Sequence, residues 1–122
     1  MRVLVVDDDP IVLASCRRIL ETKGFVVVTA ASVSAAVEET VAQGFGLLIV
    51  DLKMPERDGL QLVQKARAWG KPVPVIVMSG YPTSETVLSS LQSGAFAFLP
   101  KPFTPDELIA ALQVVVPGEI TT

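Results

Sequence analysis

Short apolar runs alternate five times with segments of helical periodicity along this chain, and no other feature constrains its fold as strongly. Two strands joined through a helix must run parallel, because the returning chain needs a crossover. The runs are rich in valine, isoleucine and leucine without polar alternation, as expected of strands buried on both faces. The predicted strands are Arg2–Val6, Phe25–Ala30, Leu47–Val50, Val73–Met78 and Ala95–Leu99.

Capping residues and chain breakers delimit five predicted helices. In the first, Asp9 is the N-cap, Pro10 takes the first helical position and Gly24 is the stop. In the last, Thr104 opens a capping box and the helix runs to about Val116. The others are predicted at Ala35–Val41, between Leu60 and Gly70, and from Thr83 or Ser84 to Gly94. This order predicts an α/β fold with a flavodoxin-like, doubly wound parallel sheet of strand order 2-1-3-4-5.

Length and composition favour one domain. A chain of 122 residues, half of them hydrophobic, can bury a sizeable core without covalent support, and its one cysteine excludes an internal disulfide framework. A net charge of −3 without a basic run argues against direct nucleic acid binding. The sequence shows neither a membrane-spanning run nor a signal peptide, so a cytoplasmic location is expected. We expect a domain at residues 1–117 and a tail or linker start at 118–122.

Polar side chains follow four of the five predicted strands. They are Asp7, Asp8 and Asp9 after the first strand, Asp51 after the third, Ser79 after the fourth, and Lys101, which Pro100 precedes, after the fifth. The carboxyl ends of parallel strands share one edge of the sheet, where ligands of such folds bind. The switch point of the predicted order lies between the first and third strands. Topology therefore selects the strand ends that carry Asp7, Asp8 and Asp51.

These side chains suit a divalent metal together with a phosphoryl group. Carboxylates that converge within a few ångströms repel one another, and a bound cation relieves the repulsion. The chain has no histidine, so an oxygen-preferring cation such as Mg²⁺ is favoured over zinc. Lys101 and Ser79 can hold further phosphoryl oxygens, and phosphoryl transfer needs positioning and charge neutralisation more than a general base. Asp9 is assigned to the helix cap.

The segments VLVVDDDP, LLIVDLKMPERDG, VIVMSGY and FLPKPF resemble, in order and spacing, the receiver domain of two-component response regulators. The resemblance extends along essentially the whole chain. It implies a signalling domain rather than an enzyme. This domain would accept a phosphoryl group on Asp51 from a partner histidine kinase or phosphotransfer protein. It also implies that the face made by the fourth helix, fifth strand and fifth helix then switches and signals to an effector domain or protein.

The resemblance implies a role for each matching residue around the metal. Asp8 would bind Mg²⁺, with Mn²⁺ as the alternative, together with Asp51 and the backbone carbonyl of Lys53. Asp7 would hold a metal-bound water. The loop after Asp51 would be shaped by Met54, Pro55, Asp58 and Gly59.

The remaining implied roles concern the phosphoryl group and the switch. Lys101 would pair with Asp51 and later with phosphoryl oxygens, and its bond to Pro102 would be cis. Ser79, which replaces the more frequent threonine, would donate to the phosphoryl group after transfer. Phe98 takes the position of the switch aromatic, where tyrosine is common, so only ring packing can transmit the change.

Two alternatives belong to other functional classes. A haloacid-dehalogenase-like phosphatase would use Asp7 and Asp9 as nucleophile and acid, but its later acidic pair is represented only by Asp106 and Glu107, which belong to a helix cap. The other alternative is a non-phosphorylated module or a flavodoxin-like nucleotide binder. The intact polar set opposes the former, and no phosphate-binding loop follows the first strand to support the latter.

The last predicted helix carries more apolar residues than its core stripe requires. They are Ile109, Ala110, Val114 and Val116. One interpretation is a helix end covered by the tail, and the other is an apolar partner or homodimer surface. Glu85 is the one charge on the fourth helix, and no basic residue occurs on the fourth or fifth. A homodimer through this face would therefore be held by apolar contacts rather than salt bridges.

Overall fold

The structure, a computed structural model, describes residues 1–42, 44–52, 62, 73–80 and 83–119. Its centre is a parallel sheet in which the strands lie in the order β2-β1-β3-β4-β5. The strands are β1 (Arg2–Val6), β2 (Val26–Ala30), β3 (Leu47–Asp51), β4 (Val75–Ser79) and β5 (Ala97–Pro100). The predicted fold class and strand order are thus confirmed.

Four α-helices are described, together with a short 3-10 helix. They are α1 (Pro10–Thr22), α2 (Val33–Ala42), α3 (Ser84–Gln92), α4 (Pro105–Val115) and the 3-10 helix Pro117–Glu119. Here α3 and α4 are the predicted fourth and fifth helices. The helix predicted between Leu60 and Gly70 lies outside the described residues, except for Leu62, which is helical and buried. In the described part of the chain, no helix has the length and apolarity needed to cross a membrane.

The helix ends are formed by the predicted caps. The side chain of Asp9 accepts a hydrogen bond from the amide of Ile11, which satisfies one of the donors left free at the start of α1. At the start of α4, Thr104 and Glu107 form both bonds of a capping box. Gly24 follows α1 with a φ of 88°, a left-handed conformation that glycine adopts without strain.

The core lies in two layers, one on each face of the sheet. Alternate residues of β1 point to opposite faces, so Val3 and Val5 belong to one layer, and Leu4 and Val6 to the other. Helices α1 and α4 cover the first layer, and α2 covers the second. Cys16 of α1 is buried in the first layer. Burial, reinforced by the charge of Asp7, raises the pKa of its thiol to about 12, so the thiol stays protonated.

Three strands end one residue later than predicted, β3 at Asp51, β4 at Ser79 and β5 at Pro100, and the extra residues of β3 and β4 are polar. Asp51 is the last residue of β3 and lies opposite Met78, while Ser79 ends β4 opposite Pro100. The ladder continues because the neighbouring strand still offers backbone partners at these positions. Both side chains are therefore held by the sheet itself rather than by a following loop.

Candidate functional site

Three carboxylates meet where β1 and β3 end. One oxygen each of Asp7, Asp8 and Asp51 lies within 4.8 Å of the others. The sheet register causes this convergence, since Val6 of β1 pairs with Val50 of β3 and the acidic residues follow directly. Asp7 and Asp51 are buried, whereas Asp8 is exposed. The predicted acidic set is brought together at the predicted switch point of the sheet.

Asp7 is held in a fixed orientation. Its side chain has no exposed surface, and its two oxygens have different partners. The amide of Asp9 donates to Oδ1 at 2.9 Å, and the ammonium of Lys101 donates to Oδ2 at 2.5 Å. The backbone amide of Asp7 also donates to the carbonyl of Ala30 at 3.1 Å, which continues the pairing of β1 with β2. A buried carboxylate is stable here because each oxygen receives a hydrogen bond.

Lys101 links the end of β5 to both buried carboxylates. Its Nζ lies 2.5 Å from Asp7 Oδ2 and 3.4 Å from Asp51 Oδ2. Its amide donates to the carbonyl of Ser79 at 2.8 Å, which fixes the loop after β5 against the end of β4. The peptide bond from Lys101 to Pro102 is cis, as the resemblance implies. The ammonium thus contacts Asp51 as expected, but its shorter contact is with Asp7.

The environment of the ammonium affects its pKa in two opposing directions. Burial of the Lys101 side chain by itself lowers the pKa. The hydrogen bond that the ammonium donates to Asp7 and the negative charges of Asp7 and Asp51 outweigh that effect and hold the pKa of Lys101 above its usual value. The ammonium therefore keeps its charge in the site and offsets part of the repulsion among the carboxylates.

The residues assigned to the switch lie beside this cluster. Ser79 is fully buried at the end of β4. Phe98 of β5 lies opposite Val77 and packs, partly buried, against the second core layer. The predicted contributions of Lys53 and of the loop residues Met54, Pro55, Asp58 and Gly59 lie outside the described residues.

The donors around the cluster fit a hard divalent cation. The three side chains that could bind a metal here, among the described residues, all offer carboxylate oxygens, and the ammonium of Lys101 balances only part of their charge. Mg²⁺ is commonly bound by one or two carboxylates while it keeps several waters. The exposed position of Asp8 leaves one side of the cluster open to such a hydrated ion.

A cleft that the sequence did not predict opens next to Lys101. It has a volume of about 450 Å³ and is lined by Asp9, Ile11, Val12, Ser15, Gly80, Lys101, Pro102 and Phe103. Ile11, one of these lining residues, is 75% exposed. One feature of the sequence could have indicated this cleft. Ile11 is an apolar residue in the first turn of α1, but it lies outside the helical stripe that contains Val12, Cys16 and Ile19.

The sequence of this chain was compared with known protein families and with curated proteins. The sequence matches the family model of the response regulator receiver domain over residues 3–113. The chain belongs to this family. That membership opposes the phosphatase and nucleotide-binding alternatives. The receiver is 37% identical over 115 residues to the transcriptional regulatory protein PrrA of Mycobacterium tuberculosis; the match covers 94% of this chain and 49% of that protein. The chain therefore spans about half the length of the curated relatives it matches.

Solved structures of similar fold support the same assignment. The chemotaxis protein CheY4 of Vibrio cholerae matches with a TM-score of 0.88 and 29% identity, over 94% of this receiver and 98% of that chain. A response regulator from Burkholderia pseudomallei, solved with a phosphorylated aspartic acid, a calcium ion and citrate, matches with a TM-score of 0.84 and 28% identity. That match covers 92% of this receiver and 66% of the other chain.

Proposed function

We propose that this receiver takes a phosphoryl group onto Asp51 from a histidine kinase or phosphotransfer protein and signals to an effector domain or protein. The observation that carries the proposal is the contact of Asp51 with Lys101 at 3.4 Å, inside a cluster of two further carboxylates. A phosphoryl group needs both a nucleophile and groups that offset its negative charge. The similarity to a regulator solved with a phosphorylated aspartic acid supports the same chemistry here.

In the proposed transfer, a carboxylate oxygen of Asp51 forms a bond to phosphorus while the bond from phosphorus to the donor imidazole nitrogen breaks. The electron pair of the broken bond leaves with the imidazole. Lys101 already lies beside Asp51 and can donate to a phosphoryl oxygen after only a small movement. Asp7 holds the ammonium near the reacting carboxylate, and the hydroxyl of Ser79 donates to the product.

We assign the metal site to the same cluster. Asp8, Asp51 and the backbone carbonyl of Lys53 would hold Mg²⁺ or Mn²⁺, and Asp7 would contact it through water. When bound, the cation offsets negative charge on the phosphoryl oxygens. The carboxylate cluster and the calcium ion in the Burkholderia pseudomallei regulator support this assignment.

Metal binding should be coupled to stability through Asp8. Mg²⁺ binds the folded site, so it should raise the melting temperature of the wild type by mass action. The variant Asp8→Asn removes one repelling carboxylate, so we expect it to melt a few degrees higher than wild type without metal. It should gain much less than wild type when Mg²⁺ is added. Thermal melts with EDTA and with Mg²⁺ measure both effects.

The control for this experiment is Asp9→Asn, because asparagine caps a helix about as well as aspartate. Its melting temperature and its Mg²⁺ response should stay close to those of the wild type. The repulsion argument is wrong if Asp8→Asn melts below the wild type without metal.

The experiment that tests the proposed function exposes the protein to acetyl phosphate and Mg²⁺ and follows its intact mass. We expect an increase of one phosphoryl group that persists long enough to be measured and that requires the metal. A phosphatase would turn the donor over without accumulating the adduct. A non-phosphorylated module would show neither turnover nor adduct, and either result would contradict the proposal. Any slow loss of the adduct would be self-catalysed hydrolysis, which we propose as a property of the same site.

We propose that phosphorylation draws Ser79 toward the phosphoryl group and lets Phe98 move inward. Ser79→Ala should still accept a phosphoryl group, because Asp51 and Lys101 are retained. It should show little NMR chemical-shift change at Phe98, since the hydroxyl that links the two movements is missing. Wild type treated in parallel provides the full response. An equally large response in Ser79→Ala would contradict this link.

The switch would reach partners through the face made by α3, β5 and α4, which carries exposed apolar side chains. Leu88 and Leu91 of α3 are 57% and 46% exposed, Phe96 before β5 is 57% exposed, and Val114 of α4 is 75% exposed. Val116 is buried and Ile109 packs against the core, so these two predicted flank residues add little to the surface. We propose that this face binds an effector or a second copy through apolar contacts.

A homodimer through this face should respond to one substitution but not to salt. We expect beryllofluoride, which mimics the phosphoryl group, to strengthen the dimer at low and high salt alike, because the contact lacks basic partners. Val114→Glu should abolish it, whereas Gln113→Glu, at an exposed neighbouring position, should weaken it far less. Sedimentation velocity measures the state. Dissociation in high salt would refute the apolar contact, and a monomer under all conditions would leave a heterologous partner.

We also propose that residues 1–117 form the receiver domain and that residues 118–122 are a tail or the start of a linker. Burial of Val116, directly after α4, supports a boundary at this point. The cytoplasmic location and the lack of direct nucleic acid binding also remain predictions from the sequence.

A further inference from the structure

One long edge of the described sheet is formed by β2, which pairs with β1 on its inner side. The amide of Val26 and the carbonyl of Ala30 both take part in hydrogen bonds on that side, each of 3.1 Å. Because the direction of backbone groups alternates along a strand, Val27 and Thr29 point their amides and carbonyls outward. The backbone amides and carbonyls of these two residues point away from the sheet, so they are oriented to pair with a further strand.

The outward groups of β2 are arranged so that a second copy of the same strand complements them. If two copies meet antiparallel about Val28, Val27 of each copy lies opposite Thr29 of the other. Both pairs then exchange both of their backbone hydrogen bonds. The strand reads VVVTA, carries no charge and is rich in β-branched residues, which favours strand pairing. Such an uncharged edge is a template for association unless it is covered.

Arg17 of α1 lies across this edge. Its Nη1 donates to the carbonyl of Val27 at 3.2 Å, and its Nη2 donates to Oγ1 of Thr29 at 3.3 Å. Glu21, one turn further along α1, lies 3.8 Å from the same guanidinium. The guanidinium therefore uses an acceptor that an incoming strand would need, and it places a positive charge where a second copy would bring another.

We propose that the outer edge of β2 is a self-pairing surface for a second copy of this chain, and that Arg17 keeps it closed. The inference is independent of phosphorylation at Asp51, which lies at the end of β3, two strands away from β2. It also involves a different surface from the face made by α3, β5 and α4.

The test removes the guanidinium and keeps the aliphatic part of the side chain. Arg17→Met should self-associate in the unphosphorylated state, with an association constant at least about tenfold above that of the control. Arg18→Met is the matched control, since it makes the same change of charge and shape at the next exposed position of α1. Sedimentation velocity over a range of concentrations measures association, and far-UV circular dichroism confirms that each variant is folded.

Hydrogen exchange then locates the contact. The amides of Val27 and Thr29 should exchange more slowly in associated Arg17→Met than in the control. Adding Val26→Lys, which places a charge at an exposed edge position, should return the protein to the control state. Arg17→Lys keeps the charge without the two-nitrogen fork and should associate to an intermediate extent. The proposal fails if folded Arg17→Met and Arg17→Lys associate no more than Arg18→Met, or if association leaves these two amides unprotected.

Discussion

Asp51→Asn is expected to lose the phosphoryl adduct formed with acetyl phosphate and Mg²⁺, by at least about a hundredfold in occupancy. The amide of asparagine is a poor nucleophile, and it cannot form the acyl phosphate. The remaining carboxylates should not replace it, because Asp7 is buried with both oxygens engaged in hydrogen bonds and Asp8 is the residue that we assign to the metal. Intact mass spectrometry over a time course measures the occupancy.

The control for this prediction is Asp106→Asn in the first turn of α4, which makes the same chemical change at an exposed carboxylate. We expect it to be phosphorylated as fully as the wild type. An adduct of normal occupancy in Asp51→Asn would place the phosphoryl group on another residue and overturn the assignment of the nucleophile.

Lys101→Met should destabilise the protein strongly when no metal is present. The substitution leaves Asp7 fully buried next to Asp51 without the cation that contacts both, and losing one partner of a buried ion pair costs about 3 kcal/mol. Saturating Mg²⁺ should restore part of this loss, because a bound cation also offsets the carboxylate charge. Urea unfolding with EDTA and with Mg²⁺ measures the free energy of unfolding in both states.

The same variant should accept a phosphoryl group about a hundredfold more slowly even with Mg²⁺, since one charge that stabilises the transferring group is missing. Lys23→Met, at the C-terminal end of α1, is the matched control and should change stability by less than about 0.5 kcal/mol. Equal stability of the two variants without metal would show that the contacts of Lys101 contribute little to the folded state.

Local signals in the sequence accounted for most of the helix ends and strands. Asp9 and Thr104 were identified as caps because their side chains can satisfy backbone donors within three residues, an interaction that depends on little else. The ends of β3, β4 and β5 were each predicted one residue short. A polar residue after an apolar run normally indicates a loop, but pairing with the neighbouring strand kept Asp51 and Ser79 in the sheet.

The contents of the site followed from the sequence, whereas the partner of each side chain did not. Alternating strands and helices force the strand ends to one edge, so Asp7, Asp8 and Asp51 had to converge. The shorter contact of Lys101 is with Asp7, 94 positions away in the sequence. This contact depends on how the loop after β5 is held against Ser79. Distances of a few tenths of an ångström are set by that packing, which no local pattern encodes.

The surfaces of α4 and of β2 also combine properties that the sequence determines with properties that only the tertiary structure decides. The sequence by itself determined that the last helix is apolar beyond its core stripe and that β2 is an uncharged, β-branched strand. Only the tertiary structure decided that Val116 is buried while Val114 is exposed, and that Arg17 reaches the carbonyl of Val27. Hydrophobicity and strand propensity are properties of single residues and short segments. Exposure and edge coverage depend on which elements pack beside them, and those neighbours come from distant parts of the chain.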